Sequence, residues 1–353
     1  MALFEVKDYD KKIYEEELKD FLPDKIIDIH THVYLKEFKV IPPADSSGKK
    51  RTVSWTRTVA QDDSLEDLQE TYRLLFPGKD VKALMFESGG TVGNNNYVSE
   101  CSKKSGWPAL YYSHPTQSAD ELEQRIREGG FLGIKSYLSK APKYLPADEI
   151  RILDFFPKHQ LKRMDEMGAI VMLHIPRSGR LKEPVNLAQI KEIKQEFPNV
   201  RLIVAHIGRA YVKEDIGNAF EVLEEVLPNL MWDFSANCCE YAITELIRHA
   251  GPKHVMFGTD MPILRMRTHR IEENGTYINL VPPGIYGDSS VDPHLREVSE
   301  EEAEKITFFV YEELLSFKRA CKTLGVSKQD VEDMMYNNAF ELIEGARKSI
   351  YGK

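Results

Sequence analysis

The sequence predicts an α/β protein whose parallel strands close into a (β/α)8 TIM barrel. Short apolar segments of strand length alternate with helical patterns through most of the 353 residues. Such alternation is typical of parallel βαβ units, and near-continuous apolar strands indicate burial on both faces. We count eight strand segments, the number that a TIM barrel closes. Polar residues stand at their C-terminal ends, where such a barrel carries its functional groups.

Each predicted strand is an apolar run that is rich in β-branched residues. The eight strands are Ile26–His30, Val81–Phe86, Ala109–His114, Phe131–Tyr137, Ala169–His174, Val200–His206, Leu230–Ser235 and His254–Asp260. The helical patterns between them include Ser64–Phe76, Ala119–Glu128, Asp148–Met167, Leu187–Phe197, Lys213–Val226 and Glu240–His249. A doubly wound open sheet is the alternative, but it is disfavoured because no glycine-rich phosphate-binding loop follows the first strand.

Three segments lie outside this alternation. Residues 1–23 predict a preceding helix, and two long insertions occupy about 35–62 and 262–298. The insertions follow the first and the eighth strand, so we expect them at the catalytic face as lids or binding loops with little secondary structure. The last part of the chain is helical, with Ser327 as the N-cap of a helix over Lys328–Arg347. We expect residues 1–353 to form a single domain.

Composition and charge narrow the class of protein. A hydrophobic content of 42% suits a soluble globular protein, and a net charge of −9 argues against a nucleic-acid partner. No apolar run approaches the roughly 20 residues that a membrane span needs, and the acidic N-terminus lacks a signal core. The four cysteines have no zinc-ribbon spacing and are expected to be reduced thiols of a cytoplasmic protein. Homo-oligomer formation stays open.

The first strand ends in the most informative motif, His30-x-His32. In a strand, side chains two positions apart lie on the same face, about 6–7 Å from each other. Two imidazoles so placed can share a metal ion. His174, His206 and Asp260 end three further strands in the same way. One alone would be a core histidine or a helix N-cap, but four strands with a polar group in the same place predict a common site.

These motifs together resemble the metal-dependent amidohydrolase superfamily. The similarity is closest to the amidohydrolase-related branch that contains lactonases and non-oxidative decarboxylases, and it spans roughly Asp24 to Asn338. The motifs are Asp28-Ile29-His30-Thr31-His32, Val171-Met172-Leu173-His174, Ile203-Val204-Ala205-His206-Ile207-Gly208, Phe257-Gly258-Thr259-Asp260-Met261-Pro262 and Asn337-Asn338-Ala339.

The resemblance implies a role for each polar strand end. His30, His32, His174 and Asp260 would hold one divalent metal, usually zinc, and His206 would be a catalytic or second-metal histidine. Imidazole and carboxylate ligands with a position left for water are typical of a catalytic zinc site. Such a metal lowers the pKa of bound water to about 7. Asp260 would then act as general base, and His206 would polarise a carbonyl.

Lys135 ends the fourth strand, and its role has three alternatives. In binuclear members of the superfamily a carboxylated lysine at this place bridges two metals. In mononuclear members a lysine here contacts substrate or balances charge, and the third alternative is a solvated loop residue. Because an ammonium beside a metal is unfavourable, a direct role requires modification or a carboxylate partner.

Several groups after the strands are candidates for substrate binding, chiefly Tyr137, Arg177 and Arg209. Arg177 follows His174 closely and could meet a substrate carboxylate with two parallel hydrogen bonds. Both insertions are locally basic and suggest an anionic small-molecule substrate, although charged loops are often merely solvated. The first insertion carries Lys36, Lys39, Lys49, Lys50, Arg51 and Arg57, and the second carries Arg265, Arg267, His269 and Arg270 before its first acidic residue.

The residues favour a metal-dependent hydrolase that cleaves an amide, lactone or related C–N or C–O bond through metal-activated water. A metal-dependent non-oxidative decarboxylase on the same barrel is the alternative, which the resemblance does not separate from the first. A phosphoesterase fits less well, since that class needs more His and Asp/Glu ligands. A non-catalytic barrel that retains its metal is disfavoured by the complete ligand set.

Overall fold

The computed structural model describes residues 2–38, 59–88 and 92–352. In this part of the chain, eight parallel strands alternate with helices, as the sequence predicts. The strands are β1 (Lys25–His32), β2 (Asp80–Phe86), β3 (Tyr111–Tyr112), β4 (Gly133–Lys135), β5 (Ile170–Leu173), β6 (Arg201–Val204), β7 (Met231–Asp233) and β8 (Val255–Met256). β1 pairs with β2, and β3 to β8 form a parallel sheet in chain order.

Backbone hydrogen bonds join these two sheets into a closed barrel. The amide of Leu110 donates to the carbonyl of Met85 at 2.9 Å, which connects β2 to the segment of β3. The amide of Ile29 donates to the carbonyl of Phe257 at 3.0 Å, which connects the end of β8 to β1. All C-terminal strand ends therefore face the same end of the barrel, where the predicted site residues lie.

The helices surround the barrel and close its other end. They are α1 (Asp8–Ile13), α2 (Leu65–Leu75), α3 (Val92–Ser105), α4 (Ala119–Gly129), α5 (Lys158–Met167), α6 (Pro184–Glu196), α7 (Ala219–Val222), α8 (Glu240–Ala250), α9 (Glu300–Ala303), α10 (Phe309–Leu324), α11 (Lys328–Glu332) and α12 (Asn338–Tyr351). Ala339 and Ile343 of α12 pack on the apolar residues inside the barrel, such as Ile29 and Met256. None of the described helices is long and apolar enough to cross a membrane.

Predicted helix boundaries fail where the backbone cannot continue a helix. The predicted helix over Asp148–Met167 begins only at Lys158, because Pro157 has no amide hydrogen and its ring excludes a preceding helical turn. The predicted helix over Lys213–Val226 is reduced to α7, since Gly217 adopts a positive φ of 52°. The N-cap at Ser327 is confirmed: its side chain accepts the amide of Asp330.

The second insertion is not the irregular loop that we expected. It contains a three-stranded sheet of β9 (His269–Glu273), β10 (Thr276–Val281) and β11 (Leu295–Glu297). The turn between β9 and β10 is Asn274-Gly275, where both residues have positive φ, as tight hairpins require. Asn-Gly between two alternating apolar segments is the sequence signal of such a hairpin. Most of the first insertion, residues 39–58, lies outside the described residues.

Candidate metal centre

Barrel closure brings polar groups from β1 and from the ends of β6 and β8 to one point. His30, His206 and Asp260 are buried, and each offers a ligand atom within 4.8 Å of the other two. Within residues 2–38, 59–88 and 92–352, this is the group of histidine, cysteine and acidic residues compact enough to hold a metal ion. Nitrogen and oxygen donors of this kind suit a first-row divalent metal.

The other two predicted ligands stand beside this group. His32 Nε2 lies 3.1 Å from Asp260 Oδ1, and His30 Nε2 lies 3.5 Å from the same oxygen. The ring of His174 is 5.3 Å from that of His206, between centroids. The structure thus gathers all the predicted metal residues, but its most compact group contains His206 in place of His32 and His174. The ligand roles stay predictions.

Strained backbone presents two of these groups. His206 has a φ of 57° and Asp260 a φ of 55°, both in the left-handed region that non-glycine residues seldom adopt. Such strain is common at functional sites, where surrounding structure over-determines it. Gly258 is required for a different reason, since a Cβ there would stand 2.8 Å from the Cβ of His30.

The surroundings set the charge of each group. Burial alone would raise the pKa of Asp260, but the hydrogen bond with His32 and the nearby His206 and His30 lower this pKa to about 2. Burial lowers the pKa of His30 to about 4 and also lowers the pKa of His206. Burial likewise holds the pKa of His174 well below its ordinary value. Neutral imidazoles and an ionised carboxylate are the forms that bind metals.

Sequence reasoning missed Asp233 and Ser235, which support the site from β7. Asp233 accepts hydrogen bonds from His30 Nδ1 at 3.0 Å and from the His206 amide at 2.9 Å. Ser235 Oγ lies 2.8 Å from His206 Nδ1 and donates to Asp233 Oδ1 at 2.5 Å. The available signal was an aspartate inside the apolar run Leu230–Ser235, a position that a buried charge occupies only with partners.

A second buried carboxylate, Asp28, connects β1 to the end of β8. It accepts the amides of His30 at 3.0 Å and Thr259 at 2.9 Å, the Thr259 hydroxyl, and the Tyr72 hydroxyl at 2.6 Å. Burial raises the pKa of Asp28 to about 7, and the hydrogen bonds oppose this rise. These bonds fix the backbone at His30 and at Thr259, the residue before Asp260.

Two buried nitrogen atoms at the site have no hydrogen-bond partner among the described residues. They are Nζ of Lys135 and Nδ1 of His174. Lys135 is 2% exposed, and its ammonium lies 5.3 Å from the ring centre of Phe86. Burial lowers the pKa of Lys135 to about 8, although Asp260 and Asp233 raise it. Because buried polar groups are nearly always satisfied, these unpartnered nitrogens fit a site that a bound group completes.

The predicted substrate-binding residues differ in how many of their polar groups already have partners within the protein. The Tyr137 ring packs on His174 with centroids 4.5 Å apart, and burial raises the pKa of Tyr137 to about 12. Among the described residues, Arg209 donates through Nη1, to three backbone carbonyls between 3.1 and 3.4 Å. Arg177 donates to the carbonyls of Ile150 and Glu149, with Glu183 at 3.7 Å. Arg209 therefore retains more free donors than Arg177.

The described cations of the insertions are committed to structural contacts. Arg267 pairs with the buried Asp10 of α1 at 2.6 Å. Arg270 donates to the Ala236 carbonyl at 2.7 Å and lies over the Tyr277 ring at 4.4 Å. The remaining pairs are Lys36 with Asp62, Arg265 with Asp63, His269 with Glu312 and Arg296 with Glu273. Lys39, Lys49, Lys50, Arg51 and Arg57 lie outside the described residues.

Comparison with known proteins decides the family. A family profile described as "Amidohydrolase" matches residues 27–343. The chain belongs to the amidohydrolase family. No curated protein matches the chain.

Solved structures similar to the chain have the same fold at low sequence identity. An amidohydrolase from Burkholderia multivorans with bound HEPES is 12% identical with a TM-score of 0.57, covering 90% of this chain and 99% of its own. A probable 2-pyrone-4,6-dicarboxylic acid hydrolase from Acinetobacter baumannii, with citric acid bound, is 15% identical with a TM-score of 0.55 over the same shares. A dihydroxybenzoic acid decarboxylase from Polaromonas with bound manganese and 2-nitroresorcinol is 13% identical with a TM-score of 0.52, covering 93% and 100%.

Proposed function

We propose that this amidohydrolase-family protein is a metal-dependent hydrolase of an amide, lactone or related bond in a small, carboxylate-bearing molecule. The observation that carries the proposal is the buried group of His30, His206 and Asp260, whose ligand atoms lie within 4.8 Å of one another. Neutral histidines and an ionised carboxylate in this arrangement are the donor set of a catalytic metal site.

The proposed metal is zinc, one per chain, held by Asp260 with His30, His32 and His174, or with His206 in place of one of them. A bound divalent ion would supply Lewis acidity and a nucleophilic water at neutral pH. A second ion would require carboxylation of Lys135. Manganese stays an alternative, since these ligands do not select strongly between such metals.

Side chains of the protein would transfer the proton, polarise the substrate and bind it. Asp260 would take the proton of the attacking water, because its carboxylate is the acidic group of the cluster that faces two histidines. His206 would polarise the scissile carbonyl. The free donors of Arg209 would bind a substrate carboxylate, with the Tyr137 ring as the adjacent wall.

Decarboxylation is the second candidate, and the position of Phe86 favours it. The Phe86 ring lies 5.1 Å from the His30 ring, 4.7 Å from the His32 ring and 5.3 Å from the Lys135 ammonium. The fully buried Phe86 ring beside this cation would make the site apolar and would desolvate the carboxylate of a substrate bound there. Asp260 or His206 would then deliver a proton to the ring carbon.

The two activities release different products, so one experiment separates them. The zinc- and manganese-loaded protein would be incubated with 2-pyrone-4,6-dicarboxylate and with 2,6-dihydroxybenzoate, with acid release and carbon dioxide measured in parallel. Acid release without carbon dioxide supports the hydrolase, and carbon dioxide from the benzoate supports the decarboxylase. The control is the His30→Ala, His32→Ala double variant, which should lose both metal and turnover. Stoichiometric zinc kept by that variant after dialysis against a mild chelator would refute the proposed site.

We also expect the enzyme to act in the cytoplasm. Cys101, Cys238, Cys239 and Cys321 are free thiols in the structure, which suits a reducing compartment.

A further inference from the structure

We infer that Asp233 is a positioning residue that fixes the tautomers of His30 and His206 so that Nε2 of each faces the metal position. The inference rests on the proposed metal site. One buried carboxylate accepts from His30 Nδ1 through Oδ2, and through Oδ1 from the amides of His206 and Ser235 and from the Ser235 hydroxyl.

The tautomer of His30 follows from the chemistry of its partner. An ionised carboxylate offers acceptors and no donor. Oδ1 of Asp233 already accepts two backbone amides and the Ser235 hydroxyl, so this carboxylate acts as an acceptor. His30 Nδ1 must then carry the hydrogen, which leaves the lone pair on Nε2. That atom lies 3.5 Å from Asp260 Oδ1, inside the compact group.

Ser235 extends this control to His206. Its hydroxyl donates to Asp233 Oδ1, so its lone pairs remain to accept. His206 Nδ1 lies 2.8 Å from that hydroxyl oxygen and 3.0 Å from the Ser235 carbonyl, which is an acceptor only. His206 Nδ1 must therefore also carry the hydrogen. Asp233 and Ser235 thus set the orientation of both histidines in the compact group.

The remaining histidines of the site do not depend on Asp233. His32 Nδ1 lies 3.0 Å from the Glu87 carbonyl. His174 Nδ1 has no partner in the described part of the chain. Histidine ligands commonly hold their ring through an acceptor behind the metal, and loss of that acceptor reduces metal affinity about 10- to 100-fold.

Asp233→Asn would reduce metal affinity more than the similar size of the two side chains suggests. An amide has a single oxygen, whereas the carboxylate uses both of its oxygens as acceptors. If the Asn oxygen serves His206 and Ser235, its NH2 group faces His30 Nδ1. His30 would then turn to the other tautomer, with a hydrogen on Nε2 pointing at the metal position. Ala would remove the acceptor without imposing that tautomer.

The test compares cobalt binding with stability in Asp233→Asn, Asp233→Ala and Ser235→Ala. Metal-free protein is titrated with Co2+, whose visible absorption reports affinity and coordination, and thermal unfolding is measured on the same metal-free samples. Asp333→Asn is the matched control, because Asp333 is a buried carboxylate paired with Lys253 and does not contact the site. We expect Co2+ affinity to fall about 10- to 100-fold in Asp233→Asn, at least as far as in Asp233→Ala, while Asp233→Ala unfolds at the lower temperature. Ser235→Ala should show a smaller loss.

The outcomes are separable. Affinity of Asp233→Asn within threefold of wild type would overturn the inference, as would an affinity order that simply follows stability, with Ala much worse than Asn. An affinity loss of the same size in Asp333→Asn would also overturn it. Failure of the wild-type protein to bind Co2+ would instead refute the proposed metal function.

Discussion

The two sides of the candidate metal centre are built differently. On the side of β1 and β7, Nδ1 of His30 is hydrogen-bonded to Asp233, and Nδ1 of His206 is hydrogen-bonded to Ser235. On the side of β4 and β5, Lys135 Nζ and His174 Nδ1 are buried and have no partner among the described residues. The first side is organised before any ligand arrives, whereas the second side carries groups that cost stability until a ligand satisfies them.

The difference indicates a division of work. The preorganised side would hold a metal in a fixed geometry. The side with unpartnered nitrogens would bind a ligand that supplies a hydrogen-bond acceptor or a negative charge. Substitutions on the first side should therefore reduce metal binding and turnover. Substitutions on the second side should reduce ligand binding and stabilise the empty protein.

The largest effect is expected at Asp260, which contacts both histidines of β1. Asp260→Asn keeps an oxygen donor but removes the base, so kcat should fall by about 10²–10⁴-fold with partial metal retention. His206→Asn should reduce turnover comparably. Metal content and kcat are measured on the same samples. Full metal with near-normal turnover in Asp260→Asn would place the proton transfer elsewhere, and loss of metal in His206→Asn would make His206 a ligand.

An intermediate effect is expected at Arg209. Arg209→Ala should raise KM for a carboxylated substrate by about 10- to 100-fold with a smaller change in kcat, because a charge-assisted contact is lost. Arg177→Ala is the comparison variant. The sequence predicts the same role for Arg177, but its guanidinium is already engaged with two carbonyls and Glu183. A larger KM increase in Arg177→Ala than in Arg209→Ala would reverse this assignment.

A smaller effect of opposite sign is expected at Lys135. Lys135→Met replaces an unpartnered buried ammonium with an apolar chain of similar length beside Phe86. The metal-free protein should then unfold at a temperature about 2–4 °C higher, while the affinity for a carboxylate ligand falls. Calorimetry of both proteins, with and without ligand, checks this. A lower unfolding temperature in Lys135→Met would show that the ammonium is satisfied in solution.

The smallest effect is expected at Glu313, a buried carboxylate of α10 that accepts the backbone amide of Asn237. Its Oε1 has no partner among the described residues, and burial holds the pKa of Glu313 well above its ordinary value. The folded state therefore retains the proton, and this group's favourable contribution is lost as the pH rises above the unfolded pKa of about 4.3. Glu313→Gln should raise the unfolding temperature by about 1–3 °C at pH 8 and leave it unchanged near pH 4. Equal curves at both values would refute this explanation.

The sequence by itself predicted the architecture and which polar strand ends would lie together. Alternation of apolar strands and helices predicted a (β/α)8 barrel, and the polar strand ends predicted that His30, His32, His174, His206 and Asp260 would meet. These signals are local, since they depend on side-chain periodicity and on the position of a residue within its strand. They could also predict N-caps such as Ser327, which depend on a few neighbouring residues.

Only the tertiary structure decided which of those groups stand closest and what supports them. Asp233 is a charged residue inside an apolar strand, and its contacts with His30 and His206 join residues 203 and 27 positions apart. The pairing of Arg267 with Asp10 likewise joins residues 257 positions apart. Sequence patterns report which face of an element is buried, whereas partners across the barrel are set by closure of the whole ring.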